Sequence, residues 1–137
     1  MSVKSQQEFA AEGSTAARVL VVDDESLIRW SLAETLAGSG YEVTEARDGA
    51  SAIQAFASSP GGTDVVLLDL RLPDSGDLRV LAAMRQLSPE VPVIVMTAFG
   101  TPELLTEALR LGAFAVIDKP FDMSAIRPLI ERALAAP

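Results

Sequence analysis

The chain has 137 residues, 49% of them hydrophobic, with a net charge of −8, no cysteine and no histidine; that is enough for one domain with a core of its own. The missing residue types exclude disulfides, thiolate and imidazole metal ligands, a Ser-His nucleophile pair and any phosphohistidine, so chemistry must run on carboxylates, hydroxyls, lysine and backbone. The acidity leaves no basic footprint for direct nucleic-acid binding. No apolar run nears the roughly 18 to 20 residues of a membrane span, so a cytoplasmic protein without membrane contact is expected.

Residues 1–17 are rich in Ser, Gln, Glu and Ala, lack a periodic apolar face and read as a flexible tail, with the folded domain at 18–137. From Arg18 onward, short β-branched runs alternate with amphipathic segments of helical length, the pattern of repeated βαβ units around a parallel sheet, and five units fit. The first strand, Arg18 to Val22, ends at Asp23-Asp24. The helix after it is expected from Glu25 or Ser26 to Gly38–Gly40, with Ile28, Leu32 and Leu36 as its inward stripe and Trp30 pointing away from it. Tyr41 to Ala46 interleaves Val43 with charged and polar residues, so it is expected at a sheet edge, while the other four strands are more continuously apolar.

A second helix is expected from about Asp48 to Ala57, closed by the turn cluster Ser58-Ser59-Pro60-Gly61-Gly62. The third strand, Val65 to Leu68, ends at Asp69, and a third helix covers about Asp77 to Leu87. The fourth strand, Val93 to Met96, is followed by Thr97-Ala98, and Pro102 suits the first turn of a fourth helix. The fifth strand, Ala115 to Asp118, leads into Lys119-Pro120. Ile126, Leu129, Ile130, Ala133 and Leu134 mark the buried face of a last helix, in which Pro128 predicts a kink or a start delayed towards Arg127.

Every parallel strand delivers its last residues to the same edge of the sheet, where open α/β sheets bind ligands. Right-handed crossovers with a switch point beside the first strand favour the order 2-1-3-4-5 in a doubly wound, five-stranded parallel sheet of flavodoxin-like type with helices on both faces. Asp23, Asp24 and Asp69 then share one pocket. Clustered carboxylates raise one another's pKa unless a cation sits among them, and Lys119 alone is not enough; a hard oxygen-seeking ion such as Mg²⁺ is the natural solution. Two carboxylates and a carbonyl leave room in its shell for a phosphoryl group. A carboxylate can then act as nucleophile and form an aspartyl phosphate, with the ion, Lys119 and the Thr97 hydroxyl neutralising the transferring oxygens and small Ala98 leaving them space.

Val21-Val22-Asp23-Asp24-Glu25, Leu68-Asp69-Leu70-Arg71-Leu72-Pro73, Met96-Thr97-Ala98 and Asp118-Lys119-Pro120-Phe121, in this order over about Arg18 to Ala135, resemble bacterial response-regulator receiver domains. Ser26-Leu-Ile-Arg-Trp30, Thr97-Ala-Phe-Gly100 and Gly112-Ala-Phe114 look most like receivers of the nitrogen-regulation type, which usually precede an ATPase domain acting at sigma-54 promoters in transcription regulation. The resemblance implies that Asp69 accepts a phosphoryl group from the phosphohistidine of a sensor histidine kinase in a two-component system. It also implies that Asp24 binds Mg²⁺ directly, Asp23 helps through water, and the Arg71 carbonyl completes the protein ligands. Thr97 and Lys119 read out phosphorylation, Lys119-Pro120 is cis, and the face made by helix four, strand five and helix five changes conformation; helices four and five are also a candidate homodimer surface. Such a protein is a switch more than a turnover enzyme.

Two positions depart from that family. Val116 stands where an aromatic switch residue is common, and Phe114, two residues earlier, is expected on the other side of the strand; Asp77 stands where the loop after Asp69 commonly has glycine, with Gly76 one earlier. The rival readings are a phosphorylation-independent interaction module of the same fold and an aspartyl-nucleophile phosphohydrolase. The latter usually has a second acid two residues after the nucleophile, where this chain has Arg71. Taken singly, Asp23-Asp24 could only start a helix, Thr97 end a strand, Lys119 be a solvated charge and the Arg71 side chain lie in solvent. Trp30 is either partly buried against a loop or a partner contact near the kinase-facing side.

Overall fold

The computed structural model describes residues 16–58, 62–74 and 78–136. The expected tail over residues 1–15, the turn residues 59–61, and Gly76 and Asp77 lie outside the described residues. Five strands, β1 (Arg18–Val22), β2 (Glu42–Ala46), β3 (Val65–Asp69), β4 (Val93–Thr97) and β5 (Ala115–Asp118), alternate with five helices: α1 (Ser26–Gly38), α2 (Gly49–Ser58), α3 (Arg79–Leu87), α4 (Pro102–Arg110) and α5 (Met123–Ala135). The strands are all parallel and lie in the order β2-β1-β3-β4-β5, the doubly wound order expected from the pattern.

Alternation along the strands sorts the core into two halves. Val19, Val21, Val65, Leu67, Ile94 and Met96 face Leu32 and Leu36 of α1 and Ile126, Ile130 and Ala133 of α5. Their neighbours Leu20, Val22, Val66, Leu68, Val93 and Val95 face Phe56 of α2, Leu81 and Met84 of α3 and Ala108 of α4. β3 and β4 are buried at every residue. β2 is half exposed, as expected of an edge. β5 is only partly buried too; its apolar sequence suggested more, but it forms the opposite edge and is covered on one flank alone.

The helix ends follow from local chemistry. Thr101 caps α4 by accepting the Leu104 N–H at 3.1 Å, with Pro102 in the first turn. Asp48 is the cap of α2 instead of its first residue: its carboxylate takes the Ser51 N–H at 2.8 Å, while Asp74, from the loop after β3, takes those of Gly49 at 2.7 Å and Ala50 at 3.0 Å. Gly40 closes the turn after α1 at φ 96°, a left-handed conformation that glycine adopts without strain.

Three expectations need correction. α5 starts at Met123, capped by Asp122, so its start is not delayed by Pro128, which lies inside the helix. Leu134 is not on the buried face: it is 36% exposed, one residue past Ala133 and rolled about 100° from it around the helix, off the Ile126–Ile130–Ala133 stripe. α3 starts at Arg79, two residues later than expected. Phe114 does lie opposite Val116, packing with the α1 and α5 side while Val116 packs with the other. The reason is not strand alternation, which puts residues two apart on one face; Phe114 sits in the turn before β5.

Candidate functional site

Register decides what meets at the carboxyl edge. Val22 is level with Leu68, so the chain emerges from β1 and β3 with Asp23 beside Asp69; Asp69 is level with Met96, and Thr97 with Asp118. The loop after β1 is pinned by the Arg29 guanidinium, which donates to the Asp23 carbonyl at 2.7 Å and to Glu45 at 3.1 Å. The Lys119 N–H donates to the Thr97 carbonyl at 2.8 Å, bringing the lysine over the edge from β5, and the Lys119–Pro120 peptide bond is cis.

The Lys119 ammonium lies 2.7 Å from Asp23 Oδ2, 3.3 Å from Asp69 Oδ2 and 3.5 Å from Glu25 Oε1. Asp23, Asp69 and Thr97 are buried, and Asp24 is exposed at the rim. The second oxygens of the two buried acids bind backbone: Asp23 Oδ1 accepts the Glu25 N–H at 2.9 Å and Asp69 Oδ1 the Arg71 N–H at 3.1 Å. The Thr97 hydroxyl accepts the Phe99 N–H at 3.1 Å. These groups meet in and around a cleft of ≈ 280 Å³ lined by Asp24, Asp69, Arg71, Ala98, Phe99 and Lys119.

Burial pushes the Asp69 carboxyl up to about 6; the Arg71 N–H bond opposes this, the Asp23 charge adds to it, and Lys119 counters it. At Lys119 burial acts downward, yet the hydrogen bond and charge of Asp23, and then Asp69, outweigh it and raise the ammonium's pKa. Asp23, Asp24 and Asp69 offer carboxylate oxygens within 4.8 Å of one another. With Glu25, four carboxylates gather around one ammonium, and the donor set is all oxygen, so a hard divalent cation fits in both charge and chemistry.

Asp23, Asp24, Asp69, Thr97, Ala98 and Lys119 thus come to one edge. Arg71 comes with them, but its guanidinium lies over the Phe99 ring, 4.6 Å from the centroid, instead of standing alone in solvent. Sequence reasoning missed this pair and the Asp74 cap on α2; neither loop carries a periodic signal. Trp30 lies outside the site, 57% exposed on α1. Among the described residues no helix is long and apolar enough to cross a membrane.

Known proteins resemble this chain in sequence and fold. The chain is 40% identical over 117 residues to the regulatory protein AtoC of Escherichia coli (strain K12), covering 85% of this chain and 25% of AtoC. It is 41% identical over 117 residues to the DNA-binding transcriptional regulator NtrC of the same strain, covering 85% of this chain and 24% of NtrC. It therefore spans about a quarter of the length of these two relatives. Sporulation initiation phosphotransferase F of Bacillus subtilis (strain 168) is 32% identical over 117 residues, which cover 85% of this chain and 93% of that protein. Among solved structures, the receiver domain of NtrX from Brucella abortus superposes with a TM-score of 0.80 at 35% identity, covering 87% of this chain and 99% of that one. A CheY-like receiver domain protein from Methanospirillum hungatei JF-1 gives 0.83 at 28% identity, covering 88% and 94%. The family model for the response regulator receiver domain matches residues 19–131, across all five strands and the acidic edge they build, and the chain belongs to that family.

Proposed function

We propose that the chain is a phosphoacceptor: Asp69 takes a phosphoryl group from the phosphohistidine of a sensor histidine kinase. The carrying observation is a buried carboxylate at the floor of an open cleft, with Lys119 at 3.3 Å and a second acid, Asp23, sharing that lysine. A carboxylate oxygen of Asp69 attacks phosphorus, the N–P bond of the donor breaks and the imidazole leaves, giving an acyl phosphate. With no histidine among these 137 residues, the donor lies outside them, on a kinase or in a small acyl phosphate.

Receiver domains generally bind Mg²⁺, and Asp24 and Asp69 are the side chains assigned to hold it here, with the Arg71 carbonyl. When bound, the ion neutralises phosphoryl oxygens and offsets the excess negative charge of the cleft. Asp23 is assigned a part through water, which suits a carboxylate whose two oxygens already bind Lys119 and the Glu25 N–H. The Lys119 ammonium and the Thr97 hydroxyl bind the phosphoryl group once it is in place. Thr97, only 1% exposed, whose hydroxyl accepts the Phe99 N–H, then donates its own proton to a phosphoryl oxygen, and the α4-β5-α5 face follows. Trp30 is assigned to the kinase-facing surface on the strength of its exposure; unchanged phosphotransfer by Trp30→Ala would remove it. Regulation of transcription through ATPase and DNA-binding domains is proposed as the output, by analogy with the NtrC-type relatives.

No observation favours the interaction-only or the phosphohydrolase reading. The deciding experiment is intact mass after incubation with acetyl phosphate and Mg²⁺. The parent gains one phosphoryl mass and Asp69→Asn gains none; an unlabelled parent refutes the proposal.

A further inference from the structure

The sequence next to α2 caps that helix only in part. Asp48 takes the Ser51 N–H at 2.8 Å, but the first two N–H groups of the helix, those of Gly49 and Ala50, have no acceptor within it. A carboxylate 24 and 25 residues further along the chain supplies both: Asp74 Oδ1 accepts the Gly49 N–H at 2.7 Å and Oδ2 the Ala50 N–H at 3.0 Å. A charged acceptor at the positive end of a helix makes stronger bonds than a neutral one, and the Gly49 end is buried. The two segments are therefore firmly joined. Asp74 also ends a stretch of loop that begins in the acidic site. Along it, the Leu70 N–H donates to the Met96 carbonyl at 3.2 Å, the Arg71 N–H donates to Asp69 Oδ1 at 3.1 Å, and Leu70 and Leu72 bury their side chains in the core. The Asp69 bond belongs to the reacting carboxylate itself, so the loop's fixed point lies downstream, on a helix that takes no part in the chemistry.

We propose that Asp74 is a positioning residue for the divalent ion: it hangs the loop after β3 on the start of α2 and thereby fixes the backbone that presents the Arg71 carbonyl. The inference rests on the phosphoacceptor reading, in which that carbonyl is a ligand. With Asp74 released from α2, the segment beyond Arg71 is held through the burial of Leu72, and the carbonyl samples more positions. Binding the ion must then order that segment again, and the affinity falls by the cost of doing so. The same reasoning separates the two acids at this helix end. Asp48 binds only within its own turn and has no hold on the loop, whereas Asp74 couples the helix to the site. Losing either acid weakens the cap of α2, but only the loss of Asp74 frees the loop.

The test is Mg²⁺ affinity by isothermal titration calorimetry, with no phosphodonor present, in the parent, Asp74→Ala, Asp74→Asn and Asp48→Ala. Removing a group that orients a metal ligand from behind costs about ten- to a hundredfold in affinity. Asp74→Ala is expected at the lower end, about tenfold weaker than the parent, because the carboxylate ligands stay in place. Asp74→Asn keeps one acceptor for the α2 N–H groups and is expected to fall between the alanine variant and the parent. Asp48→Ala removes the local cap, lowers the unfolding midpoint and keeps the parent's Mg²⁺ affinity. Parent-like affinity in Asp74→Ala, or an equal loss in Asp48→Ala, overturns the positioning role while the phosphoacceptor reading stands. If Asp74→Ala does not fold, Asp74→Asn decides, and parent-like affinity there overturns the role. A parent that binds no Mg²⁺ overturns the ion's part in the phosphoacceptor reading, and the role of Asp74 with it.

Discussion

At the amino edge of the sheet Arg18 meets Glu42 at 3.4 Å, with side chains 39% and 59% exposed, and the Arg18 N–H reaches Asp64 at 2.8 Å. At the carboxyl edge Lys119 meets Asp23 at 2.7 Å, with side chains 11% and 0% exposed, and Asp69 at 3.3 Å. Both edges pair acids with a base, but water screens the first and not the second. Where water is excluded, a carboxylate in excess of the available cations is costly, so the carboxyl edge holds an unfavourable charge state that a ligand can relieve. Among the described residues, the buried acids, Asp23 and Asp69, are both at the carboxyl edge. The stability of the sheet and the binding capacity of the protein are thus separated along the same five strands.

The largest expected effect breaks the carboxyl edge. Lys119→Ala leaves Asp23 and Asp69 facing each other without their ammonium and is expected to cost about 3 kcal/mol in urea unfolding. A cost under 1 kcal/mol would mean that the edge is as screened as the other one. Next is Asp69→Asn in the absence of divalent ions. The carboxyl's pKa rises from 3.8 to about 6 on folding, so the folded parent holds a proton more tightly than the unfolded chain. The contribution of this one group to stability is therefore fullest below pH 3.8 and is lost as pH rises through 6. The asparagine, which does not titrate, is therefore expected to be more stable than the parent at pH 7 by about 2 to 3 kcal/mol, with the gap closing by pH 4. Millimolar Mg²⁺ is expected to narrow that gap at pH 7 by stabilising the parent more than the variant. An advantage that is independent of pH would show that burial does not strain this carboxyl.

Smaller effects sharpen the contrast. Thr101→Ala removes the cap of α4 beside the carboxyl edge and is expected to cost about 1 kcal/mol by thermal or urea unfolding. Glu42→Gln at the amino edge is expected to change stability by under about 0.5 kcal/mol, a difference that 1 M salt erases. If Glu42→Gln rivals Lys119→Ala, the comparison between the edges fails.

Much of this was legible before any coordinates. Unbroken apolar runs such as Val65–Leu68 mark buried parallel strands, and the residue that ends each run has one place to go, the carboxyl edge. Asp23, Asp69, Thr97 and Lys119 followed from that alone. The errors fell where a local pattern depends on what packs beside it. Leu134 continues an apolar series but is rolled off the buried stripe of its helix, and β5 is apolar but has a neighbour on one flank only. Arg71 and Phe99 are 28 positions apart in the sequence, as their numbering shows, and no periodicity links two loop residues.

Hydrophobic period and chain order, being properties of neighbouring residues, by themselves determined the parallel sheet, its two covered faces and which side chains reach its functional edge. Only the tertiary structure decided that Lys119 lies closer to Asp23 than to Asp69, that burial pushes the Asp69 carboxyl up to about 6, that Asp74 caps α2, and that a guanidinium rests on an exposed ring. Those outcomes depend on distance and solvent exclusion between segments far apart in the chain, and both arise only once the strands are in register.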